Sequence, residues 1–248
     1  MRPRLDRLRA SVRQAPLSWL AAVVAVAASA YVIGYPFMVV RYPPMTDLPF
    51  HASDVSIFRH YWDPSFGFDR QFTLQPFKVP YMSLYALGAL LALALPMHVA
   101  VKAAAAITLA LLPAGLAVLF HGMKKSPLWG LLGLSAVWMH LTHWGFINFV
   151  GAIGLFALCV GFALLIADRP TRGRQLGLAL GLIAVFFTHL FRYPFALFNN
   201  QRVQLGRGHV SQLSGDILES SIQFGLEFCA NNLAQHFLNP WRTAIVAG

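Results

Sequence analysis

The residues best suited to acid–base chemistry lie in one polar segment, residues 41–78. This segment holds four of the nine acidic residues of the chain (Asp47, Asp54, Asp63 and Asp69), whereas residues 71–167 contain no acidic residue. Asp47, His51 and Asp54 are spaced so that a helix over residues 47–60 would place all three on one face. Such a face can hold a general base, or bind a divalent ion such as Mg²⁺ or Mn²⁺ through Asp47 and Asp54.

A second group of polar residues follows in the middle of the chain. His140, His143 and Asn148 lie among the indoles of Trp138 and Trp144. The two histidines could share a ligand or a metal ion, but His-x-x-His without a placed carboxylate is a weak zinc signal. An aromatic belt at a membrane interface explains the same residues equally well.

A third group of polar residues lies near the outer end of the last apolar run of the sequence. Thr188 and His189 are followed by Arg192. A histidine and an arginine at this position could neutralise an anionic head group. The alternative is a buried, hydrogen-bonded histidine next to an arginine that extends to the surface.

Composition shows what kind of elements must position these residues. The chain has 248 residues, of which 57% are hydrophobic and 11% charged, and its mean hydropathy is +0.59. Soluble domains carry roughly 25% charged residues, so we expect an integral membrane protein. The net charge of +10 comes from short clusters at the ends of apolar runs, which is typical of membrane loops, and we expect no nucleic-acid partner.

The apolar runs predict an all-α, polytopic transmembrane helix bundle with an outer juxtamembrane loop. After an arginine-rich start at residues 1–16, the long runs cover residues 17–40, 99–120, 128–141, 150–167 and 176–198. Residues 80–96 form a shorter run, near the lower limit for a span. Residues 199–248 form a polar tail, in which residues 216–238 have the stripe of an amphipathic helix.

The basic clusters discriminate between two topologies. If residues 80–96 crossed the membrane, Lys124, Lys125 and the basic turn at residues 169–174 would lie outside, against the positive-inside bias. If residues 80–96 instead lie along or dip into the outer face, both basic turns lie inside with the N-terminus. We expect the second topology, which brings Asp47, residues 140–148 and Thr188–His189 to the same outer side.

The same layout indicates what Asp47 does. Thr46 or Asp47 could serve only as the N-cap of a juxtamembrane helix that follows Pro43 and Pro44. Acidic groups at a membrane edge are costly, however, and are usually retained for function. We therefore favour a functional role for Asp47 over a capping role.

This pattern resembles the GT-C superfamily of polytopic membrane glycosyltransferases. The shared features are an arginine-rich start, one span, an outer loop with an early acid, and a Pro-bearing membrane-edge segment, here Pro76 to Tyr81. The resemblance implies transfer of a sugar from a polyprenyl-phosphate donor to an acceptor at the outer face of a bacterial inner membrane. It makes Asp47 the base or metal ligand, with His51 and Asp54 orienting it. We expect Lys78 and Arg192 to bind phosphate, and His143, Asn148 and His189 to line the substrate site.

Two features depart from the family pattern. No clear Asp-Glu pair follows the early acid, and the spans number about half those of a family member, so we expect the chain to be part of a larger protein. The alternatives are a transporter or lipid-handling subunit that uses its His and Asp residues as an ion path, or an inactive fragment. No helix-packing motif is expected at Gly151 and Gly154, because their spacing does not fit Gly-x-x-x-Gly.

Overall fold

Residues 16–74 and 81–189 are described in a computed structural model of the chain, and this part of the chain is helical, with no β-strand. The all-α prediction is therefore confirmed. The described helices are α1 (Pro16–Val39), α2 (Leu48–His60), α3 (Met82–Leu91), α4 (Met97–Gly122), α5 (Gly133–Val137), α6 (His140–Trp144), α7 (Ile147–Asp168) and α8 (Arg172–Thr188). Short 3-10 turns occur at Phe68–Arg70 and Pro127–Leu132.

Three of these helices are long and apolar enough to cross a membrane. They are Leu17–Val39 within α1, together with α4 and α7. Helix α3 has 10 residues, which is about 15 Å and only half of a bilayer core. Helix α3 alone is therefore too short for a full span, and the interfacial or re-entrant placement of residues 80–96 stays a prediction.

The predicted run at residues 128–141 does not form one continuous helix. It consists of the 3-10 turn Pro127–Leu132, then α5, and then the start of α6. Gly130 and Gly133 allow this segment to lie directly on α4. A Cβ on Gly130 would be 2.7 Å from the Cβ of Ala117, and one on Gly133 would be 2.9 Å from the Cα of Pro113. The segment thus returns along α4 as a broken helix.

Helices α4 and α7 run parallel and pack through glycines. A Cβ on Gly122 would lie 2.7 Å from the carbonyl oxygen of Gly161, and Gly115 meets the backbone of Gly154 even more closely. Gly151 packs on Thr108 in the same interface. These contacts do not form a Gly-x-x-x-Gly motif; instead the glycines pair at seven-residue spacing on two parallel helices. That spacing was visible in the sequence, but its pairing was not.

The basic turns lie together at one end of this bundle. The ammonium of Lys124, after α4, is 2.5 Å from the carboxylate of Asp168 at the end of α7. Arg174 donates to the carbonyl oxygens of Leu165 and Arg169, at 2.6 and 2.7 Å. The two basic turns therefore share one end of the bundle, as both candidate topologies require, and the side of the membrane that they face stays a prediction.

Helices α1 and α8 run antiparallel to this pair. At the end opposite the basic turns, Lys102 near the start of α4 donates to the carbonyl oxygen of Val40, just after α1, at 3.1 Å. The start of α1 therefore lies at the basic end. In α8, Gly181 packs on Cys159 of α7, and this direction carries Thr188 to the same end as Val40.

Candidate functional site

The end of the bundle opposite the basic turns holds Asp47 against the turn between α6 and α7. The amide of Thr46 donates to the carbonyl oxygen of His143 at 3.0 Å, and the amide of Asp47 donates to that of Trp144 at 3.1 Å. Gly145 has a φ of +97°, and a Cβ there would lie 2.7 Å from the Cβ of Asp47. Only glycine combines that backbone conformation with so close an approach.

The structure contradicts a capping role for the Asp47 side chain. Asp47 occupies the N-cap position of α2, as the alternative interpretation required, but its carboxylate makes no capping hydrogen bond. The backbone of Asp47 has an αR conformation, with φ −93° and ψ −2°, whereas a capping side chain normally accompanies an extended backbone. The half-buried carboxylate is therefore not used to satisfy the helix terminus.

The segment after Asp47 is helical over Leu48–His60, and this helix directs His51 into the site. Nε2 of His51 lies 2.8 Å from the carbonyl oxygen of Gly145. Nδ1 lies 3.4 Å from the hydroxyl of Tyr85 on α3. His51 thus connects α2 to the α6–α7 turn and to α3.

Tyr85 is the site residue that sequence reasoning missed. The pKa of its hydroxyl is raised mainly by burial, then by the negative charge of Asp54 and a hydrogen bond with it, and then by the charge of Asp47. Both carboxylates are thus close enough to act on one hydroxyl, as their predicted common face requires. The available signal was the presence of two tyrosines, Tyr81 and Tyr85, in the Pro-bearing segment at the membrane edge.

Asn148 lies in the first turn of α7 and is only 6% exposed. Its side-chain amide Nδ2 is 3.5 Å from the carbonyl oxygen of Tyr81, and Tyr81 itself has a φ of +74°. Because a carbonyl oxygen accepts but cannot donate, this contact orients the amide group. The Oδ1 atom then has no hydrogen-bond partner among the residues that the structure describes.

His189 is buried between aromatic rings, with 8% of its surface exposed. Its ring centroid is 4.9 Å from that of Tyr81 and 5.3 Å from that of Phe149, both nearly perpendicular. The hydroxyl of the preceding Thr188 is 2.9 Å from that of Ser83. The third polar group therefore joins the site through α3.

His143 enters the site differently from the prediction. Its ring is exposed and lies 6.3 Å from the ring of Trp138, while that of His140 lies 5.6 Å from Trp144. These ring pairs agree with the aromatic-belt interpretation. The carbonyl oxygen of His143, rather than its imidazole, contacts the Asp47 segment.

The metal prediction concerns the carboxylates of Asp47 and Asp54. Within residues 16–74 and 81–189, no three His, Cys, Asp or Glu side chains are grouped to hold a metal ion. Magnesium is often bound by one or two carboxylates together with substrate phosphate oxygens. Asp47 and Asp54 could act in that way, and the metal stays a prediction. Lys78 and Arg192 lie outside the described residues, as does the amphipathic helix predicted in the tail.

Comparisons of the chain with protein families, curated proteins and solved structures found no match. The polar end of the bundle therefore has to be interpreted from its own residues. It carries Asp47, His51 and Asp54 from one segment of the chain, and Asn148 and His189 from two distant ones. This end also carries the half-buried Lys102, a cation that the sequence analysis did not single out.

Proposed function

We propose that the chain is a GT-C-like glycosyltransferase that moves a sugar from a polyprenyl-phosphate donor to an acceptor at the outer face of the membrane. The observation that carries the proposal is the half-buried Asp47, which is anchored by its backbone to the α6–α7 turn while its carboxylate caps no helix. A carboxylate held in this way is available for a proton or a ligand.

In the proposed reaction, Asp47 accepts the proton of the acceptor hydroxyl. The acceptor oxygen forms a bond to the anomeric carbon of the sugar, and the bond from that carbon to the phosphate oxygen breaks. The electron pair leaves with the polyprenyl phosphate. Asp54 and His51 orient the acceptor and Asp47, and Lys78 and Arg192 bind the phosphate. In the alternative role of Asp47, it would hold a divalent ion together with Asp54, and this ion would neutralise charge on the phosphate.

The distribution of charge along the spans favours a transferase over an ion path. The described part of α1 contains no Asp, Glu, Lys, Arg or His, and in α4 and α7 such residues occur only near the helix ends. A proton or ion relay needs ionisable groups at membrane depth. In the described helices these groups instead collect at the two ends.

The proposed location is a bacterial inner membrane with the N-terminus in the cytoplasm. Basic residues at membrane ends favour the cytoplasmic side. Lys124, Lys125 and the basic turn after α7 lie at the end where α1 begins. The Asp47 end would then face outward, where polyprenyl-phosphate sugars are used by the family that this chain resembles.

The experiment is a transfer assay on the purified chain in lipid vesicles. A panel of radiolabelled polyprenyl-phosphate sugars is offered with a lipid or peptide acceptor, and Asp47→Asn is compared with Asp63→Asn. Asp63 is an exposed acid of the same segment, bonded locally to Ser65. We expect Asp47→Asn to lower transfer about 100-fold or more and Asp63→Asn to leave it unchanged. Transfer by Asp47→Asn at the wild-type rate would reject the mechanism.

A further inference from the structure

Helix α1 is attached to the bundle mainly through the part nearer its C-terminal end. The indole Nε1 of Trp138 donates to the carbonyl oxygen of Val32 at 2.8 Å. The buried side chains Ile33 and Phe37 lie in the same part of α1. From residue 17 to residue 32, by contrast, no residue is buried. The part of α1 that starts at the basic end therefore packs loosely against the rest of the bundle.

A cavity of about 590 Å³ lies beside this part of α1, between α1, α4 and the 3-10 turn Pro127–Leu132. Its walls are apolar and consist largely of small residues, among them Ala22, Ala30 and Gly34 on α1 and Ala106, Ala114 and Ala117 on α4. The hydroxyl of Ser29, which also lines the cavity, donates to the carbonyl oxygen of Ala25 within α1 at 2.8 Å. A buried water needs two to four polar partners, so these walls suit an apolar occupant.

The cavity has the depth and length of a site for an acyl chain. It lies between two helices that are long and apolar enough to cross a membrane. Along α1 it extends from Ala22 to Gly34, which is about 18 Å at the helical rise per residue. The hydrocarbon of one leaflet is about 15 Å thick. One chain of a lipid in the leaflet at the basic end can therefore fill the cavity along its length.

The basic end of the cavity carries a positive charge and a hydrogen-bonding imidazole. Lys125 is two residues before Pro127, which lines the cavity, and it makes no ion pair among the described residues. His121 is four residues after Ala117, which places it on the same face of α4, one turn closer to the basic end. Both side chains are exposed, and residues 71–167 contain no acid. This end therefore complements an anionic head group.

We propose that this cavity binds one acyl chain of an anionic phospholipid, with the head-group phosphate at Lys125 and His121. Small residues normally let membrane helices approach each other closely, and here a lipid chain would provide the packing that α1 and α4 lack. An apolar helix from a second copy of the chain would also fill the space, but it would leave the charge at the basic end unused. The site lies at the opposite end from Asp47, and it does not rest on the proposed glycosyltransferase function.

Native mass spectrometry of the full chain, released from detergent micelles, tests the head-group preference. The micelles contain phosphatidylglycerol or phosphatidylcholine with identical acyl chains. We expect one bound lipid per chain and tighter binding of phosphatidylglycerol. Lys125→Gln should weaken phosphatidylglycerol binding about fivefold, the contribution of one lysine near an anionic head group. It should affect phosphatidylcholine less, because that lipid has no net charge. Arg172→Gln removes an exposed cation on α8, which does not line the cavity, and should change neither affinity.

The acyl-chain site is tested by filling the cavity from each wall. Ala114→Phe places a ring in the cavity from α4, and Ala30→Phe does so from α1. Either variant should lose the one-lipid complex with both head groups. Ala27→Phe adds the same ring at an exposed position of α1 outside the cavity, and it should bind lipid like the wild type. Circular dichroism verifies that each variant is folded, and the two walls provide independent tests if one variant does not fold.

Three results would overturn the proposal. The first is wild-type lipid binding by both Ala114→Phe and Ala30→Phe, which would place the lipid elsewhere on the surface. The second is equal affinity of the wild type for the two head groups, which would remove the role of Lys125. The third is a wild-type dimer without bound lipid that dissociates in both phenylalanine variants, which would assign the cavity to a second copy of the chain.

Discussion

The amide of Asp47 donates a hydrogen bond to the carbonyl oxygen of Trp144 at 3.1 Å. This bond joins the entry of α2 to the turn before α7, and it places Asp47 beside Gly145, where a side chain would not fit. The position of the carboxylate is thus determined by backbone contacts on a packed turn, and not by a loop free to move. Such anchoring is what a site needs in order to hold a reacting group in place.

Substitution of Asp47 should separate chemistry from stability. Because the carboxylate makes no capping bond, Asp47→Ala should leave the free energy of unfolding close to that of the wild type, whereas loss of a true cap would cost about 1 kcal/mol. Unfolding in mixed micelles measures this, with Thr171→Ala as a positive control, since Thr171 does cap α8. A destabilised Asp47→Ala alongside a stable Asp47→Asn would restore the capping role.

Gly145→Ala should be among the most damaging single-methyl substitutions at this end of the bundle. The left-handed conformation alone costs on the order of 1–2 kcal/mol for a non-glycine residue, and the added Cβ would also collide with Asp47. Gly67→Ala isolates the first effect, because Gly67 has a φ of +62° and open space around it. Gly34→Ala has neither problem. We expect the free energy of unfolding to decrease in the order Gly34→Ala, Gly67→Ala, Gly145→Ala. Equal unfolding free energies for Gly67→Ala and Gly145→Ala would contradict the close approach of Gly145 to Asp47.

An engineered disulfide should join α3 to α8. The hydroxyl oxygens of Ser83 and Thr188 are 2.9 Å apart, so cysteines at both positions should cross-link on mild oxidation in a background without the native cysteines. The measurement is the mobility of a protease-cleaved sample, with and without reductant. Cysteines at Thr188 and Ser135 form the control, since Ser135 bonds to Leu132 within its own segment. If the cysteines at positions 83 and 188 do not cross-link, the end of α8 does not contact α3, and His189 is not part of the site.

Labelling of single cysteines from outside intact cells should distinguish the two ends of the bundle. A membrane-impermeant thiol reagent should label a cysteine replacing the exposed Ser53 on α2. Cysteines replacing Lys125 and Arg172, both exposed at the basic end, should react only after permeabilisation. Labelling of all three in intact cells, or of position 125 before position 53, would reverse the proposed orientation.

Much of the architecture was predictable because it depends on local composition. The apolar runs predicted the three long helices, since a span needs about 20 apolar residues. The spacing of Asp47, His51 and Asp54 indicated that a helix over residues 47–60 would bring them to one face, because a helix has 3.6 residues per turn, and the helix Leu48–His60 is present. The basic clusters predicted that Lys124 and Asp168–Arg174 share one end.

The tertiary structure alone decided how the site is assembled. Gly115 and Gly122 meet Gly154 and Gly161 because α4 and α7 run parallel, and this packing requires the broken return segment that places Gly145 against Asp47. Tyr85 became a site residue, and His143 contributed its carbonyl oxygen and not its ring, only through those contacts. Residue types and spacing determine which helices form and which faces are polar. Hydrogen bonds between residues far apart in the sequence depend on which helix surfaces pack together. Local sequence patterns do not determine that packing.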